Sequence, residues 1–100
     1  MVRILNGTWK VVPITGKIWF LLMIGNKKII YNGVGHNVFM GKKWGKFKII
    51  NNMSKDKFYL VYNSDKIIDK ITVVDSGKMW GEFRLKERRV GNFVMIKLKD

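Results

Sequence analysis

Residues 77–86 read GKMWGEFRLK, and this stretch carries the pattern that decides the fold. A turn glycine is followed by side chains that alternate with the two-residue period of a β-strand. The alternation predicts one face with Gly81, Phe83 and Leu85 and an opposite face with Trp80, Glu82 and Arg84. Because Phe83 is the natural core residue of the stretch, we expect Trp80 on the outer side, among charges.

Residues 41–50, GKKWGKFKII, repeat this order of glycine, lysine, tryptophan, glycine, charge and phenylalanine. The same alternation predicts an inner face with Gly45, Phe47 and Ile49 and an outer face with Trp44, Lys46 and Lys48. A related unit at 16–20, GKIWF, places Trp19 in an apolar run, so we predict a core strand there.

The mid-strand glycines allow two interpretations of the outer tryptophans. A glycine inside a strand lowers stability unless the strand bends there and an aromatic ring covers it. In the first interpretation Gly45 and Gly81 are bend points, and Trp44 and Trp80 each shield their own or a neighbouring strand. In the second, the two indoles form a platform that stacks on bases or ligand rings while neighbouring cations bind phosphates.

Short β-rich runs separated by turn residues continue along the chain. We predict strands at 8–14, 17–24, 27–32, 36–40, 43–50, 57–62, 66–74, 78–86 and 90–98. Residues 66–74 also have apolar side chains at helical spacing, but their β-branched residues favour a strand, and Pro13 is expected at a strand end or on an edge. The spacing of the turns predicts a single all-β domain over residues 1–100. This domain is an antiparallel meander closing into a small up-and-down β-barrel of about eight short strands, because closure leaves no sheet edge exposed.

The residues Gly7-Thr8-Trp9, at the start of the first predicted strand, resemble the Gly-x-Trp opening of the lipocalin-like (calycin) barrels. In that family the tryptophan caps one end of an up-and-down barrel and usually stacks on a basic residue near the last strand. The resemblance implies that Trp9 is the barrel cap and that a late arginine, Arg88 or Arg89, covers it. Neither arginine follows the final predicted strand, as the family pattern would have it.

The charge of the chain is the main clue to its function. Its 100 residues hold 20 Lys and Arg against 7 Asp and Glu, a net charge of +13. The first acidic residue is Asp56, so residues 1–55 carry ten bases and no acid, whereas residues 56–100 carry ten bases and all seven acids. This imbalance favours a polyanionic partner, although a lysine-rich composition alone also gives a basic protein.

A partner-binding surface is predicted from the basic residues and the outer tryptophans. The pairs Lys27-Lys28 and Lys42-Lys43 each open a strand after a turn, and they form one basic rim if the two turns lie at the same end of the barrel. Of the two GKxWG units, the one at 41–48 is the favoured contact site. The predicted partner-binding residues are Lys27, Lys28, Lys42, Lys43, Trp44, Lys46, Lys48, Trp80 and Arg84.

No catalytic or metal-binding signature is present in the sequence. His36 is the only histidine and there is no cysteine, which disfavours a zinc site and removes a Cys nucleophile. We predict His36 in a turn or on the surface. The carboxylates Asp65 and Asp69 have basic neighbours and are predicted to form solvated ion pairs. We therefore expect a protein that is not an enzyme and that uses no metal or other cofactor.

The leading hypothesis is a non-enzymatic β-barrel that binds a polyanion, either DNA, RNA or an acidic protein surface. A lipocalin-like carrier of a small apolar ligand is the alternative, and a small inhibitor that adds a strand to its partner is a third. The absence of cysteine and of a signal-peptide pattern predicts a cytoplasmic location, and the apolar run at 18–24 is too short to span a bilayer. The oligomeric state stays open.

Overall fold

The structure, a computed structural model, describes residues 2–16, 27–54, 56–62 and 66–99. A short 3₁₀ helix, Val2–Leu5, precedes the strands. The strands are β1 (Gly7–Gly16), β2 (Lys27–Tyr31), β3 (Val34–Phe39), β4 (Lys42–Ser54), β5 (Lys57–Tyr62), β6 (Ile67–Asp75), β7 (Lys78–Leu85) and β8 (Arg88–Lys99). Each strand pairs antiparallel with the next in the chain, and β8 pairs with β1, so the eight strands close into an up-and-down barrel. The predicted all-β barrel is confirmed.

Most of the described strands lie within about two residues of the predicted ones. β4 continues to Ser54, beyond the predicted 43–50, and its pairing with β5 extends to the pair Ser54 and Lys57. Pro13 lies within β1, beside a register shift between Pro13 and Thr15, so an irregularity in the ladder accommodates its missing N–H. The strand predicted at 17–24, with Trp19, lies outside the described residues. β6 is a strand, as its β-branched residues predicted.

The alternating strand directions give the barrel two distinct ends. The helix end carries the 3₁₀ helix and the turns at 32–33 and 76–77, and the far end carries the turns at 40–41 and 86–87. Asn32 and Gly33 have φ values of 52° and 80°, positive at both central positions, as in the hairpin turn whose twist matches the strands. Leu5 is fully buried and contributes to the core from the 3₁₀ helix.

Inward side chains from the strands fill the described part of the barrel interior. An eight-stranded barrel is just wide enough for side chains to meet across its axis. The buried apolar residues include Trp9 and Val11 of β1, Ile30 of β2, Phe47 of β4, Phe58, Leu60 and Tyr62 of β5, Ile71 of β6, Met79 and Phe83 of β7, and Phe93 and Met95 of β8.

Two mid-strand glycines are covered by phenylalanines of the neighbouring strand. Gly81 lies opposite Phe93 in the β7–β8 register, and a Cβ at this position would overlap the phenyl ring. Gly35 lies opposite Phe47 in the same way. The ring that packs on Gly81 is therefore that of Phe93, inside the barrel, whereas Trp80 is on the outer side and 40% exposed.

Candidate functional site

The up-and-down topology turns the charge imbalance of the sequence into a feature of the surface. Because consecutive strands are neighbours, β1 to β4 form one continuous half of the barrel wall, and residues 1–55 contain no acidic residue. All seven acids lie in residues 56–100, and the described ones belong to the strands and turns of the other half. We call the exposed lysines on the outside of β1 to β4 the basic wall: Lys10, Lys27, Lys43, Lys46 and Lys48.

Strand pairing aligns three of these lysines in one row. Lys10 lies opposite Lys27, Lys27 opposite Val38, and Val38 opposite Lys43. Neighbouring strands are about 4.8 Å apart, so the backbones of Lys27 and Lys43 are roughly 10 Å apart, slightly more than the Debye length of about 8 Å at physiological salt. The sequence left open whether the pairs Lys27-Lys28 and Lys42-Lys43 meet. In the structure Lys27 and Lys43 lie in one row, and Lys42 is exposed beside the turn at 40–41.

A β-bulge in β4 separates Trp44 from the lysines that follow it. Asn37 pairs with Trp44 and Gly35 pairs with Phe47, so β4 contains one residue more than β3 over this interval. Gly45 has a φ of 61°, which accounts for the glycine. The predicted unbroken alternation from Trp44 to Ile49 is therefore wrong. By register Trp44 shares the side of Asn37, whose amide points into the barrel, yet the indole is still 38% exposed.

His36 lies in the middle of the basic wall, on β3 opposite Ile29, and not in a turn. Partial burial lowers its pKa below the ordinary value, and the positive charges of Lys43 and Lys46 lower the pKa further. Its Nε2 is covered and has no hydrogen-bond partner among the described residues. The imidazole is thus a neutral group that a nearby anion would help to protonate.

Trp80 and Arg84 lie outside the half of the barrel that carries the basic wall. Both belong to β7, which is separated from β4 by β5 and β6 and from β1 by β8. Arg84 forms a partly exposed ion pair with Glu82, at 3.3 Å between Nη1 and Oε1, and also donates to the backbone oxygen of Glu87 at 2.8 Å. The predicted single Lys/Trp-bearing face is therefore divided between two sides of the barrel.

Lys28, predicted on the binding surface, points into the barrel and is only 2% exposed. It follows Lys27 on β2, so the strand alternation sends the two side chains to opposite faces. Its ammonium lies 5.3 Å from the ring centroid of Phe47, 5.5 Å from that of Tyr62 and 5.6 Å from that of Phe93. Aromatic faces attract a desolvated cation, so these rings partly replace the water that the ammonium loses.

The ammonium of Lys28 is fully hydrogen-bonded within a buried polar cluster. It donates to Asn37 Oδ1 at 2.5 Å and to the Tyr62 hydroxyl at 2.8 Å, and it lies 3.0 Å from Asp69 Oδ2. These three partners match the three donors of a lysine. We call Lys28, Asn37, Tyr62 and Asp69 the interior cluster.

Tyr62 closes the interior cluster, because its hydroxyl also accepts from Asn37 at 3.1 Å and donates to Asp69 Oδ2 at 2.7 Å. Burial raises the pKa of Tyr62 well above its ordinary value, and the charge of Asp69 raises it further. Asp69 is fully buried, so the predicted solvated ion pair is wrong, and its presumed companion Asp65 lies outside the described residues. Only Asp69 Oδ1 lacks a partner among the described residues, so the cluster has little capacity for a ligand.

The sequence pattern indicates that Asp69 points into the barrel, but it does not indicate this for Lys28. In IIDKITVV, Asp69 is in phase with Ile67, Ile71 and Val73, which marks it as an inward residue of β6. In KKIIY, both phases combine a lysine with an isoleucine, so either lysine could have pointed inward.

Trp9 caps the helix end of the barrel, but its basic neighbour is not the predicted one. The indole is fully buried and its Nε1 donates to the backbone oxygen of Leu5 at 2.8 Å. The ammonium of Lys97, which lies opposite Trp9 on β8, is 5.4 Å from the indole centroid. Arg88 and Arg89 follow the 86–87 turn and lie near the far end, so their predicted role as the cap of Trp9 is wrong.

The chain has no match among protein-family models, curated proteins or solved structures. Its class is therefore defined by its fold, a small closed eight-stranded antiparallel barrel. Within the described ranges, no group of three or more His, Cys, Asp or Glu could hold a metal ion. No helix in the described part of the chain is long and apolar enough to cross a membrane.

Proposed function

We propose that the protein is a non-enzymatic binding module that holds a polyanionic partner, nucleic acid or an acidic protein surface, against the basic wall. The main support is the row formed by Lys10, Lys27 and Lys43, which crosses four adjacent strands. These strands belong to residues 1–55, which contain no acidic residue. Like charges placed directly opposite each other on a sheet lower stability. A bound polyanion removes this repulsion, which favours binding over a purely structural role for the lysines.

The alternatives fit the described contacts less well. A catalytic role would require a carboxylate or a base with a partner, whereas Asp69 is engaged by Lys28 and Tyr62. Strand addition would require an open sheet edge, whereas each of the eight described strands is paired on both sides. The partner is therefore proposed to bind the wall, in the cytoplasm of the cell.

A lipocalin-like carrier is the second candidate, and one observation favours it. Lys97 stacks on Trp9, the arrangement that the resemblance implied for a basic residue near the last strand. The ammonium of Lys28 and its surrounding rings, however, occupy interior space that a ligand would need. Native mass spectrometry of the purified protein tests this candidate, and a co-purified apolar ligand would support it.

Salt-dependent binding tests the main proposal. Duplex DNA, single-stranded RNA, heparin and polyglutamate are titrated with the protein between roughly 50 and 200 mM salt. We expect affinity for at least one polyanion to fall steeply, because bound lysines release counterions. Absence of binding to all four, or affinity that does not change with salt, would overturn the proposal.

Two charge-matched double variants locate the binding surface. Lys27→Gln with Lys43→Gln removes two charges from the basic wall, and Lys66→Gln with Lys86→Gln removes two exposed charges beside the far ends of β6 and β7, outside the row that contains Lys10. The first variant should reduce the slope of log affinity against log salt by about 0.7 to 0.9 for each lost phosphate contact. Equal losses in the two variants would show that only net charge matters.

A further inference from the structure

A groove of about 420 Å³ opens on the outer face of β2, β3 and β4, inside the basic wall. It is lined by Ile29 and Tyr31 of β2, Val34 and His36 of β3, and Lys46 and Lys48 of β4. Volumes of about 300 to 1,000 Å³ are typical of sites for small organic groups. The groove is therefore large enough for one aromatic ring system.

The register divides this groove into an apolar side and a basic side. Tyr31 lies opposite Val34, and Val34 lies opposite Lys48, so one row passes from an aromatic ring to an ammonium over three strands. Tyr31 is 47% exposed and Val34 is 54% exposed. Adjoining exposed apolar side chains commonly mark a contact site.

Gly35 preserves the shape of the groove floor. A Cβ at this position would lie 2.6 Å from the backbone oxygen of Ile29 and 2.6 Å from Cε1 of Phe47. Any side chain here would displace Phe47 or separate β2 from β3. The floor thus consists of glycine backbone, with the Phe47 ring packed against it.

We propose that this groove binds one base of a single-stranded nucleic acid, with the base stacked on Tyr31 and the adjoining phosphates on Lys46 and Lys48. The proposal rests on the function proposed above and narrows the polyanion to one class. Single strands present an unstacked ring beside each phosphate, which matches an apolar side next to a basic side. An acidic protein surface would leave Tyr31 and Val34 without a counterpart, and a duplex keeps its rings stacked inside.

The experiment compares a single strand of about ten nucleotides with heparin at one salt concentration, by fluorescence anisotropy. Tyr31→Ala should weaken binding of the single strand about 5- to 150-fold and leave heparin binding unchanged, since stacking on one base contributes that range. Tyr31→Phe keeps the ring and should bind as the unchanged protein does. Trp80→Ala is the matched control, because Trp80 is a comparably exposed aromatic residue on β7.

A second measurement uses the unchanged protein, so that it does not depend on how a variant folds. A strand of the same length without bases keeps all phosphates and should bind with the weakened affinity of Tyr31→Ala. If Tyr31→Ala affects the single strand and heparin equally, or neither, the base site is refuted while the polyanion function stands. If polyglutamate binds as tightly as the single strand, an acidic protein is the partner and the base site is refuted. If no polyanion binds, both proposals are refuted.

Discussion

Lys27 and Lys28 are neighbours in the sequence, yet they belong to two regions of opposite character. Lys27 is exposed on the basic wall, beside Lys10 and near Lys43. Lys28 is buried in the interior cluster, where Asp69, Tyr62 and Asn37 bind its ammonium. The comparison shows that a basic composition does not by itself make a binding surface. Lys28 neutralises the buried Asp69, whereas Lys27 is exposed among other lysines.

The two regions also differ in what their charges cost the folded state. A buried ion pair loses its hydration and needs hydrogen bonds in its place, which the Lys28 ammonium and Asp69 Oδ2 have. The wall lysines keep their hydration but repel one another, and salt reduces that repulsion. The interior cluster should therefore control the free energy of unfolding, and the basic wall should control binding and its salt dependence.

The largest expected effect comes from replacing Lys28. Lys28→Met keeps the length of the side chain but leaves the carboxylate of Asp69 buried without its cation, which should lower the free energy of unfolding by about 3–5 kcal/mol. Lys27→Met, on the outer face, should change it by less than about 0.5 kcal/mol. Urea unfolding measures both. Equal effects at the two positions would contradict the assignment of Lys28 to the interior.

A double replacement separates lost charge pairing from lost packing. In Lys28→Met with Asp69→Leu, no charge is left in the interior cluster, so much of the lost stability should return. The polyanion affinity of this variant should equal that of the unchanged protein, because the basic wall is untouched. A double variant no more stable than Lys28→Met would show that the cavity, not the unpaired carboxylate, determines the loss.

Gly81→Ala should have the next largest effect. Its Cβ would overlap the ring of Phe93, which lies 5.6 Å from the Lys28 ammonium, so the ring must move and the interior cluster with it. Overpacking of this kind costs about 1–3 kcal/mol. Gly77→Ala is the control, because its Cβ would meet only Asp75 Oδ1 at 3.8 Å, an ordinary contact. Thermal unfolding measures the stability of both variants. Similar losses of stability at the two positions would contradict the packing of Phe93 on Gly81.

The barrel followed from the sequence because two local signals agree along the chain. Alternation predicted the faces of β7, where Phe83 is buried and Trp80 is exposed, and the short turns after β2, β3, β6 and β7 predicted that each of these strands pairs with the next. These signals are local, so they can be read from the sequence without knowledge of the rest of the fold.

The site was harder to predict because its decisive features depend on pairing between strands. A single extra residue at Gly45 changes the side of the sheet on which Trp44 lies. The sequence GKKWGKF gives no sign of this bulge, and the similar GKMWGEF has none. The groove at Tyr31 exists only because β2, β3 and β4 adopt one register, and Tyr31 was not among the predicted binding residues.

The smallest expected effect concerns His36 and tests the basic wall directly. Partial burial, then Lys43 and Lys46, hold the pKa of His36 below its ordinary value, and its β2 neighbour Ile29 is uncharged. In the unbound protein, stability should therefore decrease as the pH falls below about 6.5, since the unfolded chain takes up the proton first.

A bound polyanion offsets the positive field of the wall lysines, so the pKa of His36 should rise on binding. The affinity for the polyanion should therefore increase about 1.5- to 5-fold as the pH falls through this range. Because His36 is the only histidine, one NMR resonance of an untagged protein reports the titration. His36→Gln should abolish this histidine contribution to the pH dependence and keep the salt dependence. A pKa that stays the same on binding would mean that the polyanion lies outside the wall between β2 and β4.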